Sequence, residues 1–306
     1  MKNFFRPFLS LAGVGLILGF SLWIGPQFGS VAAFETVNER DLPGACQSAR
    51  FSRRHEGEDR SRAVVILLHG ISNCPWEMND LGQALFDAGH DVEVMRLPGH
   101  GTEVEDLETI TQSDVSNFIA GAISSAYQRS NRVFLLGTSF GGLTALHGSQ
   151  LLPSMVRGTI LLAPYLSTIY DDILQVACVA SAAPSIFAGM PGGGVVELAT
   201  DQLRFLPIGV SRPSSRPNDR FWYMAAPLKT VCVGYRMAMM ARGNLRTAST
   251  PTLLITSDDD EIINSPGVRE LFQSAQNVRQ IWYRRGQGVH HKVSPRNLRA
   301  NPLWES

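Results

Sequence analysis

The chain has 306 residues, a length that suits one large α/β domain, or one such domain with an inserted cap. Apolar residues make up 44% and charged residues 18%, the proportions of an ordinary globular protein, which argues against a disordered chain. Lysine plus arginine number 27, as do aspartate plus glutamate, so there is no basic field to gather phosphates and nucleic acid is not an expected partner.

Residues 1–34 predict a segment separate from the rest of the chain. Lys2 and Arg6 precede an apolar run over residues 7–28, followed by small residues at 31–33. Two interpretations stay open: a cleaved secretory signal peptide, or a single membrane anchor, since about 20 apolar residues can span the hydrocarbon core. Either one puts the remainder outside the cytoplasm, held at the cell membrane or released as a periplasmic or secreted protein. Residues 35–61 are polar and predict an exposed linker.

Residues 62–306 predict an α/β domain with a mostly parallel sheet and helices on both faces. Apolar, β-branched runs alternate with segments of helical spacing, as such sheets require. The predicted strands are 63–68, 91–97, 132–136, 158–162, 251–257 and 278–284. The predicted helices are 76–88, 113–129, 140–152 and 268–275, the second opened by Ser113 as N-cap.

Residues 165 to about 245 interrupt this alternation. They contain a proline–glycine segment at 191–194, an arginine- and proline-rich segment at 211–217 and a methionine-rich segment at 235–240. We interpret them as an insertion between two strands that forms a cap over the carboxyl ends of the sheet, the edge at which ligands bind in open α/β sheets.

The most specific motif is a G-x-S-x-G pattern centred on Ser139, at residues 137–141. A serine on a very tight strand-to-helix turn needs small neighbours two positions to either side, and its Oγ then projects above the sheet. A predicted strand precedes the motif and a predicted helix follows it, which is the context the motif requires. Ser139 is therefore a candidate nucleophile.

A second motif, LLHGI at residues 67–71, ends the first buried strand. A tetrahedral intermediate needs two backbone N–H groups already directed at its oxyanion. The candidates are the N–H of Phe140, directly after the nucleophile, and the N–H of Ile71. His69 is interpreted as a structural residue of this loop rather than as a base.

Three segments together resemble α/β-hydrolases of the monoacylglycerol lipase, carboxylesterase and serine aminopeptidase-like group, and in particular exported or membrane-anchored bacterial members. They are HGISNCP at 69–75, RLPGHG at 96–101 and GTSFGG at 137–142. The resemblance implies the α/β-hydrolase fold and a catalytic triad in the order Ser, Asp, His.

The acid and the base follow from that resemblance. Residue spacing alone leaves four carboxylates, at 258–261, after the strand at 251–257. The family pattern selects Asp260, with Ile263 tucked beneath the loop, and keeps Asp259 as the alternative acid. Asp258 and Asp259 are otherwise interpreted as solvated charges. For the base, the distance to Pro295 selects His290, with its neighbour His291 as the alternative.

Four cysteines are present, and an exported domain permits disulfides. The pairs Cys46–Cys74 and Cys178–Cys232 are favoured because each would lie within one region, and four buried thiols are the alternative. Neither the cysteines nor the histidines have the spacing of a metal site, and no cofactor is expected.

These observations lead us to expect a serine hydrolase that cleaves small-molecule or lipid carboxylic esters through an acyl-enzyme. Two other hypotheses stay open. One is an exported aminopeptidase-like enzyme acting on amides, which would need an acid near the cap, for which Glu197 and Asp201 are the candidates. The other is a non-catalytic binding protein that has kept the α/β-hydrolase fold.

Overall fold

The computed structural model describes residues 46–52, 62–182, 205–207, 225–287, 289 and 291. The predicted signal peptide or anchor at residues 1–34 lies outside these residues. Within the described ranges, no helix is both long enough and apolar enough to cross a membrane.

The described residues form nine strands and six α-helices. The strands are β1 (Ala49–Phe51), β2 (Val64–Leu68), β3 (Asp91–Met95), β4 (Val133–Thr138), β5 (Val156–Leu162), β6 (Phe205–Pro207), β7 (Ala225–Pro227), β8 (Thr252–Ser257) and β9 (Val278–Tyr283). The helices are α1 (Asn79–Asp87), α2 (Gln112–Arg129), α3 (Phe140–Leu151), α4 (Asp171–Ala182), α5 (Leu228–Asn244) and α6 (Ser265–Leu271). Short 3-10 turns cover Pro75–Met78, Val104–Thr109 and Leu245–Thr247.

Seven strands form one sheet in the order β1-β3-β2-β4-β5-β8-β9. All neighbours pair in parallel except β1, which runs antiparallel to β3. Every residue of β2 is buried, as expected for a central strand covered on both faces. The predicted α/β class with a mostly parallel sheet is confirmed.

The strand register brings several loops to one edge of the sheet. Leu68 pairs with Gly137 and Leu162 pairs with both Thr138 and Ile255. Because these strands are parallel, the residues after β2, β4, β5 and β8 emerge next to one another at the carboxyl edge. The two motifs and the acidic run identified in the sequence therefore meet at this edge.

Helix α3 is the most buried helix of the domain. Residues 140–149 are all buried, because α3 lies between the sheet on one side and helices α2 and α5 on the others. Its three glycines, Gly141, Gly142 and Gly148, allow this close packing. A Cβ at Gly148 would come within 2.6 Å of the Ile119 side chain of α2.

The structure differs from the predicted elements at several boundaries. Helix α2 is capped by Thr111, not Ser113, because Thr111 and Asp114 form a reciprocal capping box. The helix predicted over residues 76–88 begins as the 3-10 turn Pro75–Met78. Within the predicted linker, residues 49–51 form edge strand β1, which pairs with β3 through backbone hydrogen bonds.

Both predicted disulfides are confirmed. Cys46 is bonded to Cys74, which joins the segment before β1 to the loop after β2. Cys178 of α4 is bonded to Cys232 of α5. The alternative of four free thiols is wrong.

Candidate active site

Ser139 lies on a sharp turn between β4 and α3. Its backbone has φ 51° and ψ −115°, a positive φ that costs a non-glycine residue strain. The turn is possible because Gly137 and Gly141 approach closely, so that a Cβ at Gly137 would overlap the backbone of Gly141. The G-x-S-x-G spacing is thus a steric requirement of this turn.

The backbone of Ser139 is fixed by neighbours on β5 and beyond it. Its N–H donates to the Leu162 carbonyl at 2.9 Å, and its carbonyl accepts from the N–H of Leu143 and Tyr165 at 3.0 and 2.9 Å. The residue is 8% exposed. These bonds hold the turn in its strained conformation at the N-cap of α3, where the helix dipole is positive.

The loop after β2 runs directly beside this turn. A Cβ at Gly70 would lie 3.6 Å from the Ser139 Cβ. The Gly70 carbonyl accepts from the Asn73 N–H at 3.1 Å and contacts His69 Nδ1 at 2.8 Å. Since the Gly70–Ile71 peptide is trans and planar, the Ile71 N–H points in the direction opposite to the Gly70 carbonyl. Phe140, as the first residue of α3, has an N–H that its own helix does not use.

Two buried histidines support this loop from behind. His69 Nε2 accepts from the Leu97 N–H at 3.1 Å, and His100 Nε2 lies 2.9 Å from the Ile71 carbonyl. Burial lowers the pKa of His100 to about 4 and, with the nearby His100 charge, lowers that of His69 well below its usual value. Both imidazoles are therefore neutral at pH 7, and both ring nitrogens of His69 are engaged. The structural role predicted for His69 agrees with these contacts.

Asp260 follows β8 and is almost completely buried, with 1% of its side chain exposed. One carboxylate oxygen accepts from the N–H groups of Ile262 and Ile263 at 2.9 and 2.8 Å. The other oxygen lies 2.9 Å from Nδ1 of His291. Ile263 is buried beneath the loop, as the sequence analysis expected. Asp260 therefore fixes the orientation of the His291 ring through Nδ1.

The histidine that contacts Asp260 is His291, the alternative of the sequence analysis. His290, which was the first choice for the base, lies outside the described residues. The backbone N–H of His291 also donates to Glu261 at 3.2 Å, and the Ser257 hydroxyl donates to the carbonyl of Val289. The two histidines are adjacent and of the same residue type, so only the distance to Pro295 separated them in the sequence, and these tertiary contacts involve His291.

The acidic run has a larger role than the sequence suggested. Asp258 forms an ion pair with Arg269 at 2.8 Å. Both carboxylate oxygens of Asp259 accept from the Gly286 N–H, at 3.0 and 2.9 Å. Both residues are partly exposed, so the predicted solvation holds in part, but each also has a partner in the domain: Asp258 pairs with Arg269 of α6, and Asp259 binds the backbone at Gly286.

A chain of backbone contacts connects the serine turn to the acid. Tyr165 binds Ser139 through its N–H, as noted above. Three residues later Thr168 forms an antiparallel bridge with Ile263, and the Asn264 N–H donates to the Ser167 carbonyl at 2.9 Å. The loops after β4, β5 and β8 are thus one hydrogen-bonded unit.

Helices α4 and α5 lie between β5 and β8, in the region predicted as the cap. Besides their disulfide, they are joined by Asp171 and Arg242, whose charged groups are 2.7 Å apart. Side chains of this region form an apolar cluster together with Ile71: Tyr165, Leu174, Ala226, Val231 and Tyr235. An apolar surface therefore adjoins the candidate oxyanion donor. Burial and then the charge of Asp171 raise the pKa of Tyr165, so its hydroxyl stays neutral.

Among the residues that the structure describes, no three His, Cys, Asp or Glu side chains form a group able to hold a metal ion. Glu197 and Asp201, the acids considered for a peptidase, lie outside the described ranges. The strained serine turn and the acid of the aspartate–histidine pair thus follow strands β4 and β8 at the carboxyl edge of the same sheet.

The sheet order, the serine turn and its position at the carboxyl edge define an α/β-hydrolase. The family model described as serine aminopeptidase, S33, matches residues 59–293, and the chain belongs to that family. It is 26% identical over 216 residues to a thermostable monoacylglycerol lipase of Bacillus sp. strain H-257, covering 70% of this chain and 77% of the relative. Together these findings support a hydrolase of the esterase or lipase type.

Solved structures show the same fold. A structure reported for the metagenome-derived lipolytic enzymes LipS and LipT has a TM-score of 0.62 at 20% identity, covering 82% of this chain and 91% of that one. A soluble variant of monoglyceride lipase from Saccharomyces cerevisiae, in complex with a substrate analogue, has a TM-score of 0.59 at 13% identity, covering 81% and 84%. The predicted α/β-hydrolase fold is confirmed.

Proposed function

We propose that this chain is a serine hydrolase that cleaves carboxylic esters with Ser139 as nucleophile, His291 as base and Asp260 as the orienting acid. The proposal rests on one observation above all: a buried aspartate holds the His291 ring by Nδ1, and its loop leaves the same sheet edge as the strained turn at Ser139. With Nδ1–H donated to Asp260, the proton-free Nε2 is the nitrogen that accepts the serine proton.

The reaction proceeds in two acyl-transfer steps. Ser139 Oγ adds to the ester carbonyl carbon while its proton passes to His291. The negative charge moves to the former carbonyl oxygen, where the N–H groups of Ile71 and Phe140 receive it. Collapse breaks the C–O bond, and His291 returns the proton to the leaving alcohol. Water then attacks the acyl-enzyme with the same proton relay, releasing the acid and free Ser139.

The substrate class is inferred from the cap. Leu174, Val231 and the two tyrosines put an apolar surface next to Ile71, which suits the alkyl chain of an ester. Similarity to a monoacylglycerol lipase supports a lipid ester such as a monoglyceride. The family's description names a peptidase, so an amide substrate is the competing outcome of the test.

The test uses the folded full-length protein and a fluorophosphonate probe. Covalent labelling at Ser139, read by intact mass, is expected for the wild type and not for Ser139→Ala. Hydrolysis of p-nitrophenyl butyrate is then compared with that of aminoacyl p-nitroanilides. Higher kcat/KM on the anilides would overturn the ester assignment, and the absence of labelling would overturn the serine mechanism.

The assignment of the base is tested by two neighbouring variants. His291→Ala is expected to lower kcat by about 10⁴-fold or more, as loss of a triad histidine does in serine proteases. His290→Ala is the matched control and is expected to stay within about fivefold of wild type, a limit set well below the triad effect. The reverse order would transfer the role of base to His290.

We also propose that the domain works outside the cytoplasm, with residues 1–34 as signal peptide or anchor. Its two disulfides support this, because such bonds persist in oxidising compartments. Cell fractionation followed by N-terminal sequencing tests the proposal. Recovery of the enzyme in the cytosol with reduced thiols would refute it.

A further inference from the structure

Glu77 is a buried carboxylate beneath the loop that follows β2. It is 7% exposed and lies in the 3-10 turn Pro75–Met78. One of its oxygens accepts from the Gly70 N–H at 3.2 Å and the other from the Asn73 side-chain amide at 2.7 Å. Burying a charge is costly unless it is hydrogen-bonded, so this carboxylate is placed to bind specific donors.

Those two donors belong to the turn that sets the Ile71 N–H. Asn73 closes the turn with its own N–H on the Gly70 carbonyl at 3.1 Å. Glu77 therefore binds the backbone N–H of Gly70, the first residue of the turn, and the side-chain amide of Asn73, the fourth residue. Since the Gly70–Ile71 peptide is planar, any rotation of this turn rotates the Ile71 N–H with it.

The turn is also fixed from its far side. Cys74, which follows Asn73, is bonded to Cys46, and the Glu77 N–H donates to the Cys74 carbonyl at 3.0 Å. A Cβ at Gly70 would lie 3.9 Å from Glu77 Oε2 and 3.6 Å from the Ser139 Cβ. The position that a side chain at Gly70 would occupy is therefore bordered by both the carboxylate and the nucleophile.

We propose that Glu77 is a positioning residue that holds the Ile71 N–H in line with the developing oxyanion, acting through Gly70 and Asn73. This inference rests on the proposed function. It assigns to Glu77 no contact with the substrate and no transfer of a proton.

The carboxylate cannot be replaced by the isosteric amide. A carboxylate presents an acceptor to each of the two donors, whereas glutamine has one acceptor oxygen and an NH₂ group that would face a second donor. A positioning role and a purely electrostatic role of Glu77 also predict opposite changes in kcat. If Glu77 acted only through its field, removing a negative charge near the oxyanion would raise kcat, whereas loss of positioning lowers it.

The experiment measures kcat and KM for p-nitrophenyl butyrate in Glu77→Gln and Glu77→Ala. The control is Glu270→Gln, which removes an exposed carboxylate from α6. Each protein is also titrated with two ketones that carry the same alkyl chain. The trifluoromethyl ketone adds to Ser139 and forms an oxyanion, whereas the methyl ketone measures binding without an adduct.

For the Glu77 variants, kcat is expected to fall by about tenfold or more, short of the 10²–10³-fold that complete loss of one oxyanion donor costs. The affinity for the trifluoromethyl ketone should fall by the same factor, while KM and the methyl ketone affinity stay within twofold. The proposal is overturned by an unchanged or increased kcat, by a fall in kcat without weaker trifluoromethyl ketone binding, or by equal weakening of both ketones.

Thermal unfolding checks that each variant is folded. If the Glu77 variants do not fold, Asn73→Ala decides by the same criteria, because it removes one donor to Glu77 and keeps the backbone bond of the turn. A fall of at least threefold in both kcat and trifluoromethyl ketone affinity is then expected. Failure of the proposed function would be seen separately, as a wild type that neither turns over esters nor is labelled at Ser139.

Discussion

The change Asp260→Asn tests how the site orients its base. Asparagine is the same size, and its Oδ1 can still accept from the N–H groups of Ile262 and Ile263. Its NH₂ group then occupies the position of the oxygen that lies 2.9 Å from His291 Nδ1. Donor would face donor, so the ring would take the tautomer with its proton on Nε2. That nitrogen could no longer accept the proton of Ser139.

The magnitude follows from this loss of the correct tautomer. In a serine protease the equivalent change lowers kcat about 10⁴-fold, which corresponds to about 5.5 kcal/mol of transition-state stabilisation. We expect kcat to fall by about 10³–10⁴-fold here, because asparagine would neither hold the imidazole in the correct tautomer nor stabilise the imidazolium that forms during the reaction. The cost in folding stability is smaller, about 1–3 kcal/mol for one charge-assisted hydrogen bond in the native state.

The assay is single-turnover and steady-state hydrolysis of p-nitrophenyl butyrate, with urea unfolding of the same samples. Asp259→Asn is the matched control, since Asp259 binds the Gly286 N–H and not the imidazole. A fall of less than tenfold for Asp260→Asn, or a larger fall for Asp259→Asn, would refute the reasoning that Asp260 orients the base.

Three further predictions concern stability. The folded-state pKa of His100 is lowered to about 4, so as pH falls the imidazole is protonated in the unfolded chain before it is protonated in the folded one. The free energy of unfolding should therefore fall by about 3 kcal/mol between about pH 6.5 and pH 4. Urea unfolding of His100→Gln should show a flatter pH dependence, and an equally steep one would show that His100 is not the group responsible. Gly234→Ala should destabilise by about 1–3 kcal/mol, because its Cβ would lie 2.8 Å from the Tyr165 ring; Gly243→Ala, at an open position of the same helix, should stabilise by about 0.5–1 kcal/mol, and equal effects in thermal unfolding would refute the packing argument. Replacing the Cys46–Cys74 pair by serine should lower the free energy of unfolding in urea by about 3–4 kcal/mol and should also lower kcat. Replacing the Cys178–Cys232 pair should lower the free energy of unfolding by about 4 kcal/mol and change KM more than kcat. The opposite kinetic pattern would show that the first disulfide does not stabilise the loop that carries Ile71.

The sheet and the serine turn could be anticipated because each has a local cause. Buried parallel strands need continuous apolar runs, and the turn at Ser139 needs glycines where the backbones meet. Strand β1 could not be anticipated, since its three residues lie in a polar segment and are held by edge pairing with β3. The cap of α2 was misplaced by two residues because Ser113 and Thr111 are both good caps, and only the reciprocal bonds with Asp114 distinguish them.

Which of the two adjacent histidines contacts Asp260 could not be derived from sequence for a physical reason. His290 and His291 are neighbours along the chain and are the same residue type, so composition and periodicity do not separate them. The side chain that contacts the acid is selected by long-range bonds from Ser257, Asp260 and Glu261. An acidic run of this kind is usually solvated, so its contacts with Arg269, Gly286 and His291 are visible only in the three-dimensional structure.

The contact between Asp260 and His291 separates catalytic turnover from folding stability, two properties that are often assumed to change together. Among the described residues, the largest apolar cluster is built mainly from strands and helices, and the polar contact between Asp260 and His291 lies outside it. Substitution of Asp260 would thus remove the contact that orients the imidazole while the rest of the domain stays folded. Screens that score variants by expression or melting temperature alone would pass such proteins as intact, and only turnover would reveal that they are inactive.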